Sequence, residues 1–282
     1  MLRDIRELTA DQAAYSAELR RRWGGLLSYR YIGREFASMD RNCDDTVTLR
    51  HDMRNTTGGL LFAVLGISSP EGGGMTDLTA VPNPVIHSTQ ILDPGHDVKR
   101  IEVLSETLKV GRQMSYSRSL IVDADDHSRV LALTEGQGVV IGVPPEGLEL
   151  MDTQSIDVVD SPDLPPLWQV FGAGRRDDGH WALPELAVEL ASPDAALHIG
   201  PQFILLETAA LDLASSIAGT DQLQGVSSHV MFMARGKDGP FRAEGEASAG
   251  KDGTVGARLT LIDEGASERV ISTGSYAFRV VG

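Results

Sequence analysis

Two hydrophobic patterns alternate along the chain, and their order repeats. An unbroken apolar run, Leu60–Ile67, follows Asn55-Thr56-Thr57-Gly58-Gly59. Asn and Thr ahead of such a run mark a helix start, and a helix that is apolar all round belongs in an interior. Ser68 to Gly74, with Pro70 and three glycines, stops it. The pattern then changes, from about residue 85 to 142, to β-branched segments at 98–110, 114–122 and 129–141. Gly111-Arg112 and Asp123–His127 separate them, which predicts an antiparallel meander. After a stretch rich in proline and acid, the programme runs again. Asp194–Gly200 leads into a second apolar helix from Pro201. Strands are expected at 226–235, 240–249, 254–262 and 269–281, punctuated by Asp238-Gly239, Asp252-Gly253 and Glu264-Gly265. Ahead of the first helix, residues 9–23 read as a surface helix capped by Thr9 with Gln12, and Thr46–Leu49 reads as a strand.

The two halves superpose by numbering. Arg118–Asp123 matches Arg258–Asp263, and Arg129-Val130 matches Arg269-Val270, 140 positions apart; Gly59 and Phe62 match Gly200 and Phe203, 141 apart. The sequence therefore reads as a duplicated helix-then-meander module. The module boundaries fall at 1–145 and 168–282, with 146–167 as the linker. A helix that is apolar all round needs a sheet that curls around it, so the expected class is α+β. Free sheet edges and leftover apolar surface favour pairing with a second copy.

Composition narrows the function. Forty Asp and Glu against twenty-five Lys and Arg give a net charge of −15, which opposes a phosphate-binding surface and hence nucleic acid. The single cysteine, Cys43, excludes an internal disulfide framework and a multi-cysteine zinc site. It sits among acids, which raise a thiol's pKa, and is read as structural. No His, Asp and Cys spacing suits a metal. The longest apolar run is far short of a membrane span, and the charged start lacks a signal-type apolar region, so a soluble cytoplasmic protein is expected.

The two helix entries, Asn55–Gly59 and His198-Ile199-Gly200, each lead into an apolar helix and a four-strand meander. With the Lys109–Arg112 hairpin, they make the sequence similar to the hotdog-fold thioesterases in a double-hotdog arrangement. That resemblance implies two tandem modules, each a long central helix wrapped by a curved antiparallel sheet. It also implies hydrolysis of acyl-CoA or acyl-carrier thioesters with no metal and no cofactor, CoA being part of the substrate. The expected assembly is a homodimer of double hotdogs.

Thioester hydrolysis develops negative charge on a carbonyl oxygen, and free N–H groups at a helix N-terminus suit it. Gly58-Gly59 and Ile199-Gly200 are the candidate oxyanion turns. A carboxylate must then activate water or attack the acyl carbon. Glu207 stands out, inside an otherwise apolar helix beside Leu205, Leu206, Ala209 and Ala210. It follows His198 by nine residues, as in the His-Gly-Gly…Glu pattern of one thioesterase branch, although Ile199 and Pro201 depart from that pattern. The first half carries Gly66 where the second carries Glu207, so the duplication is asymmetric. Carried over from related dimers, Glu207 faces the Gly58-Gly59 turn as general base or nucleophile. Asn55 and Thr57 position the thioester or water, and His198 and Gly200 form a half-site without its carboxylate. A pantetheine arm would run between the modules, with Arg54 or Arg112 at the phosphates. The structural counterparts are an ion-paired Glu207, a capping His198 and an ordinary tight turn at Gly58-Gly59. His51, His87 and His229 are read as structural. Two alternatives stand beside the thioesterase. One is a hotdog enoyl-CoA hydratase, from Asn83-Pro84-Val85-Ile86-His87; the other is a non-catalytic acyl-binding scaffold.

Overall fold

The computed structural model describes residues 10–33, 46–69, 81–142 and 156–282. Thr9, Cys43 and residues 146–155 of the expected linker lie outside them. The chain opens with α1 (Gln12–Gly24) and α2 (Leu27–Ile32). Asp11 caps α1, its carboxylate accepting from Ala14 N at 3.1 Å. A short strand, β1 (Thr46–Thr48), precedes α3 (Phe62–Ser68), followed by β2 (Val81–Ile91), β3 (Arg100–Val110), β4 (Met114–Asp123) and β5 (Asp126–Gly142). The second half holds α4 (Leu167–Val170), β6 (Gly174–Arg175), β7 (Trp181–Leu183) and α5 (Ile199–Ala218). It ends in β8 (Leu223–Phe232), β9 (Phe241–Ala249), β10 (Thr254–Asp263) and β11 (Arg269–Val280).

All the strands form one antiparallel sheet in the order β1-β3-β4-β5-β2-β8-β11-β10-β9-β7-β6. Read outward from the β2–β8 seam, the two halves have the same order. The seam itself shows a pseudo-twofold axis. Ser88 pairs with His229, 141 positions on, while His87 pairs with Val230 and Thr89 with Ser228, each residue facing its neighbour's counterpart. The Ser88 hydroxyl and His229 Nδ1 lie 2.8 Å apart there.

The alternation along β10 buries Val255, Ala257, Leu259 and Leu261 against α5, which packs on β9, β10 and β11. The counterpart strand β4 buries Ser115, Ser117 and Ser119 instead. The inner face is thus apolar under the long helix and lined by hydroxyls in the first half. Helix α5 is twenty residues long; α3 has seven, and residues 70–80 lie outside the described set. One continuous core runs through both halves, including Leu65, Ile121, Phe203, Leu261 and Phe278. Among the described residues, no helix is long and apolar enough to cross a membrane.

One sequence expectation fails locally. The Asn55–Gly59 segment does not open the helix. Asn55 Oδ1 accepts from Thr57 N at 3.0 Å, Thr57 Oγ1 at 2.7 Å and Gly59 N at 3.1 Å, while Asn55 N donates to Gly59 O. The side chain that signals a cap closes a turn on itself. Gly58 supplies the left-handed φ of +82° that this turn needs. The helix begins three residues after the turn, at Phe62.

Candidate active site

Leu61 sits at the cap position of α3 and provides no side-chain acceptor. The first N–H groups of a helix have no partner within it, so in a buried position they need one from elsewhere. Glu207, on the third turn of α5, supplies it. One carboxylate oxygen accepts from Phe62 N at 2.9 Å and the other from Ala63 N at 2.7 Å. Helix α5 has its own start satisfied separately. His198 is its cap and Pro201, which lacks an N–H, occupies the first turn, where that loss is harmless.

Glu207 is 4% exposed. Burial pushes its pKa up to about 7, against the pull of the Ala63 and Phe62 amides, which favour the charged form. A cavity of about 520 Å³ opens beside it, within the usual range for small-molecule sites. Ile204, Glu207, Thr208 and Leu211 line it from one stripe of α5, and Leu61 and Ala63 from the start of α3. Leu164, Leu167, Trp168 and Trp181 complete the apolar wall, the two indoles meeting edge to face at 5.0 Å. His51, Asp212 and Asp221 also line it, and Asp52 borders it with its carboxylate buried against Arg50.

The structure brings Glu207 and the beginning of the first half's helix together, as the asymmetric pairing anticipates, but with different amides. The Gly58 and Gly59 N–H groups donate to the Asn55 carbonyl and side chain and do not face the carboxylate. Asn55 lines the cavity, yet its amide nitrogen donates to Leu223 O at 2.9 Å, so it ties the turn to β8. Thr57 donates to Asn55 and does not line the cavity. The Arg54 guanidinium donates to the Gly58, Gly95 and Val98 carbonyls and is therefore engaged within the fold. Arg112 stands at the far β3–β4 tip, away from the cavity.

The other half-site is closed. His198 Nδ1 lies 3.2 Å from Ser28 Oγ and 3.3 Å from Gly200 N, and Tyr29 packs edge-on over the ring at 5.3 Å. Burial pushes the His198 pKa down to about 3, so the ring is neutral. A Cβ at Gly200 would fall 2.7 Å from the Ser28 Cβ, and one at Gly66 would fall 2.9 Å from the Phe203 ring. Helix α2 and Phe203 fill the space that a substrate would need. His87 is likewise internal, its Nε2 3.0 Å from Ser69 O and its ring edge-on to Phe203. Burial holds its pKa down at about 4.

Sequence reasoning missed Phe62 and Ala63, because their contribution is a backbone N–H that any residue carries. It also missed the wall from Pro162 to Trp181, which lies in and just after the proline-rich linker. The α5 lining was legible as helical spacing from Glu207, at 204, 208 and 211. Among the described residues, no group of His, Cys, Asp and Glu could hold a metal ion.

No family model matches the sequence, and no curated protein matches it. Solved structures do. The chain is similar to the tesB protein of Mycobacterium avium subs. paratuberculosis, at 14% identity over 89% of this chain and 99% of that one, with a TM-score of 0.56. It is similar to the 12:0-ACP thioesterase of Umbellularia californica at 11% identity over 83% and 92%, TM-score 0.52. It is also similar to the acyl-CoA thioesterase II of Mycobacterium marinum at 13% identity over 84% and 93%, TM-score 0.51. The chain has the hotdog fold in its double form.

Proposed function

We propose that this chain hydrolyses acyl thioesters of the acyl-CoA or acyl-carrier type, with Glu207 as the general base. The observation that carries the reading is a buried carboxylate held by two backbone N–H groups at the edge of an apolar cavity. Structural neighbours described as acyl-CoA and acyl-ACP thioesterases support it at the level of the fold.

The acyl chain lies against Trp168, Leu167 and Leu211, with the thioester carbonyl at the start of α3. Ionised Glu207 takes a proton from water, and the resulting hydroxide adds to the acyl carbon. The carbonyl oxygen becomes an oxyanion held by the Phe62 and Ala63 N–H groups. The intermediate collapses, breaking the carbon–sulfur bond, and the departing thiolate takes the proton from Glu207. Water and thioester become carboxylic acid and thiol, using only this chain's groups. A base with a pKa near 7 is half ionised at neutral pH and still strong enough to accept the proton.

Glu207→Gln should lower kcat for acyl-CoA hydrolysis by about 10²-fold or more, the usual scale for a general base. In the unmodified chain, kcat/KM should rise with pH and level off above about 7, because only the ionised carboxylate acts. Thiol release from short, long, branched and aromatic acyl-CoAs, with crotonyl-CoA hydration alongside, measures both. Full activity in the Gln variant would overturn the reading.

A further inference from the structure

The Phe62 and Ala63 amides cannot hold the Glu207 carboxylate and the thioester oxygen at the same time. Once those donors pass to substrate, the carboxylate is left in an apolar interior, where an unpartnered charge is strongly disfavoured. A second donor must be close. Tyr276, on β11, is 3% exposed, and among the described residues its hydroxyl has no hydrogen-bond partner. Its ring packs against Phe62 with centroids 5.9 Å apart, so the phenol borders the residue whose amide holds Glu207. The two groups sense each other: the Glu207 charge adds to burial in raising the Tyr276 pKa.

The duplication provides an independent observation. Tyr276 pairs with Ala257 as Gly136 pairs with Ser117, each residue 140 positions from its counterpart. The first-half equivalents of Glu207 and Tyr276 are therefore Gly66 and Gly136. Carboxylate and phenol are present together in the half that has the cavity and are both glycine in the half that is closed. A buried hydroxyl without a partner destabilises a fold, and phenylalanine would fit without that penalty. Packing alone does not explain the tyrosine.

We propose that Tyr276 is a positioning residue for Glu207. Its O–H receives the carboxylate by a side-chain rotation when the Phe62 and Ala63 amides transfer to the thioester oxygen. This rests on the hydrolase reading for its timing but not for the pairing itself.

The test compares the unmodified chain, Tyr276→Phe, Glu207→Gln and the double variant. Hexanoyl-CoA is the probe, thiol release the assay, and thermal unfolding the control. Tyr276→Phe should unfold at the same temperature or higher and leave KM within about twofold. Its kcat should fall about tenfold or more, and the acid limb of kcat, which reports the substrate complex, should move to higher pH, since a lost donor disfavours the ionised carboxylate. In the Glu207→Gln background, the tyrosine change should add nothing. Unchanged kcat and pH profile in Tyr276→Phe, or an undiminished effect without Glu207, would overturn the inference. If the unmodified chain releases no thiol from any acyl-CoA, the hydrolase reading fails by itself. The pairing is then read from the Glu207 carboxyl stretch by infrared titration with hexanoyl-CoA, which such a chain leaves intact, bound at saturation. A pKa raised by about half a unit or more in Tyr276→Phe supports it, and an unmoved one sinks it.

Discussion

Burial opposes the ionisation of Glu207, and that opposition has a thermodynamic consequence. Its folded pKa of about 7 lies above the ordinary value of 4.5. Between those values the folded chain keeps a proton that the unfolded chain has released. The raised pKa therefore contributes stability that is complete below pH 4.5 and is lost as pH rises through about 7. At full size the effect is about 3 kcal/mol. His87 and His198 act in the opposite sense. Held neutral with pKa values of about 4 and about 3, they contribute stability that is complete above their ordinary 6.5 and lost as pH falls. The total pH dependence therefore mixes all three, and Glu207 is isolated only by subtraction. Urea unfolding of the unmodified chain and of Glu207→Gln at pH 5 and pH 8 provides it. The stability of the unmodified chain relative to the variant should fall by about 2–3 kcal/mol between the two. A difference independent of pH would mean that Glu207 titrates normally.

At the scale of elements, the closed half-site explains why the duplication cannot simply be reversed. Gly66 occupies the position of Glu207, yet the Phe203 ring stands where its side chain would go, and Ser28 and Tyr29 seal the helix start opposite. Gly66→Glu should not create a second active site. It should destabilise the chain by about 3 kcal/mol or more, through overpacking and a buried charge, with no gain in thiol release per chain. Thermal unfolding and a single-turnover count together decide it. The same elements show what the sequence could reveal. The strands are legible because β-branched runs and Asp-Gly turns are local signals: β9 and β10 begin within a residue of the expected 240 and 254. Glu207 is legible because an acid among Leu205, Leu206, Ala209 and Ala210 has few reasons to be there. The start of α3 is not, because Asn55 has the same chemistry whether it caps a helix or closes a turn. Nor is the plug formed by α2, which approaches His198 from 170 residues away in the chain. The indole wall was hidden too, since nothing local distinguishes a linker from a segment that folds back over a cavity.

For the molecule as a whole, the charge of −15 bears directly on the substrate. An acyl-CoA approaches as a polyanion, and the cavity lining meets it with Asp212 and Asp221. The nearby donors are engaged: Arg54 with three carbonyl oxygens, Arg50 with Asp52, and His51 with Asp160 at 2.9 Å. Long-range repulsion therefore slows encounter, and salt relieves it. The screening length shortens from about 30 Å at 0.01 M to about 8 Å at 0.15 M, so most of the repulsion disappears within that range. For hexanoyl-CoA, kcat/KM should rise several-fold over that interval, with the change in KM and little in kcat. Hexanoyl-pantetheine carries no phosphate and should be indifferent to the same salt. The contrast separates the field of the whole molecule from the chemistry at Glu207, because both thioesters present the same acyl carbon to the same carboxylate. Falling kcat/KM with salt for the CoA substrate alone would instead mean that local attraction of the phosphates outweighs the overall negative field.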